Sequence, residues 1–188
     1  LIHNVTNTDV IVGVSDRACD ELGVVFNSPE GLSHLTDLGI DPSVVSQLGH
    51  FGLSSICNVL AAIKTAKSLG LGSDDAIVTV ATDGAELYAS EREVMAVSRY
   101  VNGFSSEDAS AAIEEHLQGA DTNDVEVLDE TGKNRIFNLG YYTWVEQQGI
   151  EFSDFEIRRD QHVWQHLQTL APAWDELIQE FNDQTGVL

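Results

Sequence analysis

At 188 residues with 43% apolar content, the chain is long enough to bury a sizeable core. Thirty-one acidic residues against nine basic ones give a net charge of −22, which repels DNA, RNA and anionic membranes and excludes them as partners. The acidic residues are spread among apolar positions rather than gathered in one block, and only Lys64, Lys67 and Lys133 are lysines, so the surface reads as one adapted to concentrated salt, as in a halophile.

Cys19 and Cys57 show no CxxC spacing, which argues for free thiols rather than a zinc site or a disulfide framework. No apolar run approaches membrane-spanning length and no basic, then apolar, leader opens the chain, so a cytoplasmic protein is expected. The sequence starts at Leu1 without a methionine, which reads as a fragment or a processed product.

In chain order, Val10 to Val14 is a β-branched run that suits a strand buried on both faces of a parallel sheet, and Ser15 then caps a helix from Asp16 to Leu22. Residues 27–48 contain Pro29, Gly31, Gly39 and Pro42 and break into two short helices, Pro29–Leu38 and Pro42–Leu48. Gly52-Leu53-Ser54-Ser55 is a tight turn feeding a helix that carries Ile56, Val59, Leu60 and Ile63 on one stripe and stops at Gly70. Ala76 to Ala81 returns as a second strand and opens into Thr82-Asp83-Gly84.

Strand, helix and strand in this order predict a crossover unit of a parallel sheet, whose ligands sit at the carboxyl ends of strands. Gly52–Ser55 and Thr82–Gly84 both fall at such ends. Helices are expected near Ser90–Asn102 and Ser106–Gln118, each led by a serine and early acidic residues. Val125–Leu128 and Arg135–Phe137 flank a turn and predict a hairpin, and Gln161 to Phe181 carries helical packing positions around Pro172.

Asp9–Asp16, Gly52–Lys67 and Asp74–Tyr88 in succession resemble the C-terminal half of the fold-type II pyridoxal-phosphate enzymes, the cysteine synthase, cystathionine β-synthase and threonine synthase group. The later stretch Asn138–Gly149 looks like the tail of a cysteine-synthase-like branch of these proteins. The resemblance implies an α/β fold: a partial three-layer parallel sheet with flanking helices over 1–90, an insertion at 27–48, and a mainly helical extension over 91–188, with a short hairpin. It also implies pyridoxal 5'-phosphate as cofactor, a small amino acid such as O-acetylserine, serine or a threonine precursor as substrate, and a homodimer.

In that family a serine or threonine hydroxyl meets the pyridine nitrogen, and the resemblance places this role on Ser54 or on Thr82. Gly52, Leu53, Ser55 and Asp83 complete the implied cofactor wall. The turn geometry favours Ser54, although Ile56-Cys57 stands where the family has Gly-Ala. A neutral hydroxyl leaves that nitrogen largely unprotonated, which suits β-elimination and β-replacement. The cofactor-bearing lysine and the phosphate loop precede this segment in related chains, so no catalytic residue is assigned here and the chain is expected to need an N-terminal half.

Two other readings remain open. The chain could be an interaction module derived from such an enzyme, or an anion-binding module built on Ser54, Ser55 and the helix start. His50 and Phe51 precede the turn and could reach a ligand, although a histidine there is more often hydrogen-bonded filler. His162 and His166 are better read as helix decoration than as a metal pair, since no third ligand is in view.

Overall fold

The structure is a computed structural model that describes residues 4–187; Leu1, Ile2 and His3, where the sequence begins without methionine, lie outside them. The chain divides into two units, one spanning Val10–Glu126 and the other taking in residues up to Asp9 and from Val127 onward.

The first unit holds β1 (Val10–Val12), α1 (Asp16–Val25), α2 (Pro29–Asp37), α3 (Pro42–Val45), α4 (Leu53–Leu69), α5 (Ala89–Ser98) and α6 (Ser106–Ile113). The helix of α6 runs on through a wider turn, Glu114–Gln118. At its centre lies α1, seven of whose ten residues are buried. It packs on α4, α5 and α6, while α2 packs on α6. One side of α1 contributes Ala18, Cys19 and Leu22 to a cluster with Ile56 and Leu60 of α4. Val25, at its end, joins Leu35, Val45, Ala109, Ala112 and Ile113 in a second cluster. Positions 18, 22 and 25 recur at helical spacing, so one stripe serves both clusters.

Local chemistry places these helices where the sequence expects them. Ser28 accepts a hydrogen bond from the Gly31 N–H and Asp41 from the Ser43 N–H, each just before a proline that suits the first helical turn. Ser105 and Asp108 exchange side-chain and backbone bonds in a capping box at the start of α6. Gly70 closes α4 with a φ of 66°, a left-handed cap that a side chain would disfavour. Ser15 precedes α1 in extended conformation, but its side chain makes no capping bond.

The second unit contains a short turn, Val5–Asn7, and α7 (Glu130–Tyr141), α8 (Phe152–Glu156), α9 (Gln161–Gln168) and α10 (Ala171–Thr185). Its core is aromatic: Phe137 and Phe155 are buried with ring centroids 4.8 Å apart. The Arg158 guanidinium lies 4.7 Å from the Phe155 ring centre and 5.0 Å from that of Trp144. Nothing on α10 is buried, and Trp174, Leu177, Ile178 and Phe181 leave their apolar stripe in solvent.

The expected α/β architecture, a partial three-layer parallel sheet, is not formed. Among the described residues the strands are β1 and β2 (Val125–Val127), three residues each, in one two-stranded sheet. The pairing is antiparallel: the Gly13 N–H donates to the Asp124 carbonyl at 2.8 Å and the Leu128 N–H to the Asp9 carbonyl at 2.8 Å. Ala76 to Ala81 pairs with nothing and stays exposed throughout, so the crossover unit lacks its second strand. A β-branched run becomes a strand only where a neighbour offers its backbone.

The hairpin is corrected as well. Val125–Val127 pairs with β1, and Arg135–Phe137 lies inside α7, whose first turn is fixed by the Asp129 carboxylate accepting the Gly132 N–H at 2.7 Å. No described helix is long and apolar enough to cross a membrane.

Candidate functional site

The start of α4 is held by a chain segment that follows it by some thirty residues. Gly52 adopts extended backbone, and its N–H donates to the Asp83 carbonyl at 2.7 Å. A Cβ at this position would stand 2.6 Å from the Tyr88 ring and 2.7 Å from the Asp83 oxygen, so the approach requires glycine. One turn on, the buried Ser55 hydroxyl accepts the Thr82 N–H at 3.1 Å. A further turn on, the Asn58 side chain donates to the Val80 carbonyl at 3.0 Å.

Residues Val80 to Asp83 are thus laid along the first two turns of α4. Tyr88 locks the end of the segment by donating its hydroxyl to Asp83 Oδ2 at 2.9 Å. Two stretches singled out separately in the sequence, Gly52–Ser55 and Thr82–Asp83, meet here.

Beside this junction lies a cleft of about 810 Å³, within the range of small-molecule sites. Leu53, Ser54, Cys57 and Asn58 of α4 form one wall, α1 supplies Asp16, Cys19 and Asp20, and Leu87, Tyr88 and Glu91 close the rim. Ser54 is exposed to the cleft, whereas the Ser55 hydroxyl is engaged by Thr82 and the Thr82 side chain lies outside the lining.

The cleft carries three carboxylates and no basic side chain. Burial holds the Asp20 carboxyl above its usual range, and the nearby charges of Asp16, Glu91 and Glu21 push the same way. The Cys19 thiol is pushed up to about 12, by burial first and then by Cys57, Asp20 and Asp16, so it is no thiolate at neutral pH. Cys57, half-buried on the wall, is the more accessible sulfur.

The remaining expected residues sit elsewhere. Phe51 packs against the cluster around Leu22, and His50 is exposed in the short turn Leu48–His50. His162 and His166 are exposed on α9. Lys64 donates to the Gly13 carbonyl at 3.1 Å, Lys67 to the Ala120 carbonyl, and Lys133 to Asp9 at 2.7 Å, so each lysine tethers chain.

A second polar cluster escapes sequence reasoning. Glu21, 3% exposed, meets His116, 7% exposed, at 2.7 Å between Oε2 and Nε2. Arg99 stands in ion-pair contact with Glu21 Oε1 without aiming an N–H at it, and Arg17 lies 3.7 Å from the same oxygen while contacting Glu115.

Glu21, Glu115 and His116 place ligand atoms within 4.8 Å of one another, a set that could hold a cation. The two arginines already balance the two carboxylates, which makes the cluster an ion network. Only Arg17–Glu21 has a sequence signal, the i, i+4 spacing; Glu21 and His116 are 95 residues apart.

No family, curated protein or solved structure matches this chain.

Proposed function

We propose that the chain is part of a pyridoxal 5'-phosphate-dependent lyase or transferase that carries out β-elimination or β-replacement on a small amino acid. Its share is the wall of the cofactor site at the start of α4. One observation carries the reading: Gly52–Ser55 and Thr82–Asp83, which the resemblance assigns to one cofactor wall, are hydrogen-bonded to each other at the edge of a cleft that Ser54 faces.

The donor set fits one end of the cofactor and not the other. Ser54 offers a neutral hydroxyl for the pyridine nitrogen, while Asp16, Asp20 and Glu91 oppose a phosphate, which therefore belongs outside this cleft. Bound pyridoxal phosphate supplies the electron sink for cleavage at the β-carbon. The residues of this chain position and tune it: Gly52, Ser55, Asp83 and Tyr88 fix the wall, and Ser54 avoids the full proton that a carboxylate would hold on the ring nitrogen. The lysine and the phosphate loop come from outside these residues, so the isolated chain turns over no amino acid. The acidic cleft opposes the anion-binding alternative.

The test is protection of Cys57 from iodoacetamide, read by mass spectrometry in molar potassium chloride. Pyridoxamine 5'-phosphate is the probe, because it lacks the aldehyde that would itself react with thiols. Alkylation slows several-fold in the wild type and less in Ser54→Ala, while inorganic phosphate has no effect. Equal rates with and without the probe, or equal protection by inorganic phosphate, overturn the reading.

A further inference from the structure

The stretch Ala76–Ala81 contradicts its own composition. Ile77, Val78, Thr79 and Val80 are the most strand-prone run in the chain, yet Val78 is 93% exposed and Val80 66%, with Ile77 on the alternate side at 43%. Among the described residues no backbone N–H from 76 to 81 makes a hydrogen bond, and of the carbonyls only that of Val80 has a partner, the Asn58 side chain. One end of the segment is nonetheless anchored on α4 through Val80, Thr82 and Asp83. Apolar side chains on alternating sides, together with a free row of backbone groups, are what an added strand covers.

Charge selects the occupant. Asp74 and Asp75 precede the run and Asp83 and Glu86 follow it. In a second copy of this chain, antiparallel pairing sets Asp74 and Asp75 against Asp83, and parallel pairing sets each acid beside its own equivalent; like charges opposed across a sheet are unfavourable. An anionic lipid surface meets the same repulsion.

We propose that Ala76–Ala81 is a docking strand for an extended segment of another polypeptide, one with alternating β-branched residues and with lysine or arginine at both ends. Main-chain hydrogen bonds give the affinity, and the basic ends, seated against Asp74, Asp75 and Asp83, give the selection. This inference is independent of the cofactor reading.

Hydrogen exchange on the whole chain tests it, with two capped peptides of alternating valine and threonine, one ended in lysines and the other in glutamates. The Val80 carbonyl and the Thr82 N–H face α4, so the open edge carries the odd-numbered backbone groups. The lysine-ended peptide slows exchange of the Ile77 and Thr79 amides by about tenfold, and the glutamate-ended one leaves them unchanged. Thr79→Pro removes a ladder donor from the open edge, so it abolishes the slowing at Ile77 without altering the circular dichroism. The proposal is overturned by the absence of slowing with either peptide, equal slowing with both, persistence of the effect in Thr79→Pro, or protection that grows with protein concentration alone.

Discussion

Glu21 shows how much one side chain can decide in this protein. A carboxylate taken this far out of water is tolerated only with partners, and Arg17 of α1, His116 of the turn that continues α6 and Arg99 at the loop edge after α5 surround it. Glu21→Gln keeps the volume but removes the counter-charge of Arg99 and the charge facing a buried imidazole, while Arg17 keeps its contact with Glu115. A loss of about 3 kcal/mol is expected, the range for breaking one side of a buried pair, and urea unfolding at neutral pH measures it. Glu115→Gln is the comparison: that carboxylate is half-exposed, its pair with Arg17 is solvent-screened, and a loss of less than about 1 kcal/mol is expected. Equal effects would mean that the network acts through Glu115. None of this was legible from residue types, because the sequence carries only the Arg17–Glu21 spacing and the other contacts depend on how α1, α5 and α6 come together.

At the scale of elements, legibility follows the range of the interaction that makes each one. Helix starts at Pro29, Pro42 and Ser106 were readable because a cap and its target lie within three residues of each other. The Ala76–Ala81 strand was not, since strand-prone residues report a preference for pairing and say nothing about whether a partner is at hand. Arg135–Phe137 failed for the opposite reason: a local signal, Asp129 capping Gly132, outweighed the hairpin pattern. The candidate site was readable as two turns, while their contact was not. That contact rests on the Gly52 approach, so Gly52→Ala forces Asp83 and Tyr88 outward at a cost of about 1–3 kcal/mol, the range for overpacking. Faster amide exchange at Thr82 and a raised fluorescence of Tyr88, released from the Asp83 carboxylate, are the expected readouts. Unchanged exchange at Thr82 would show that Ser55 alone holds the junction.

For the whole molecule the dominant quantity is charge. With 31 acidic side chains against nine basic ones, self-repulsion opposes the compact state, and three of the cleft's own residues add to it. Added salt contracts the screening length from about 10 Å at 0.1 M to about 3 Å at 1 M, below the spacing of most surface charges, so the repulsive part of the balance is largely removed in that interval. The Arg17–Glu115 and Lys133–Asp9 pairs, both with an exposed partner, weaken over the same interval, but they are few beside the unpaired acids. The thermal midpoint therefore rises with potassium chloride, by on the order of 10 °C between 0.1 and 1 M, and then flattens. Scanning calorimetry across that series checks it. A midpoint that stays level or falls would mean the acidic surface is no adaptation to concentrated salt, and that the attractive pairs, few as they are, outweigh the repulsion.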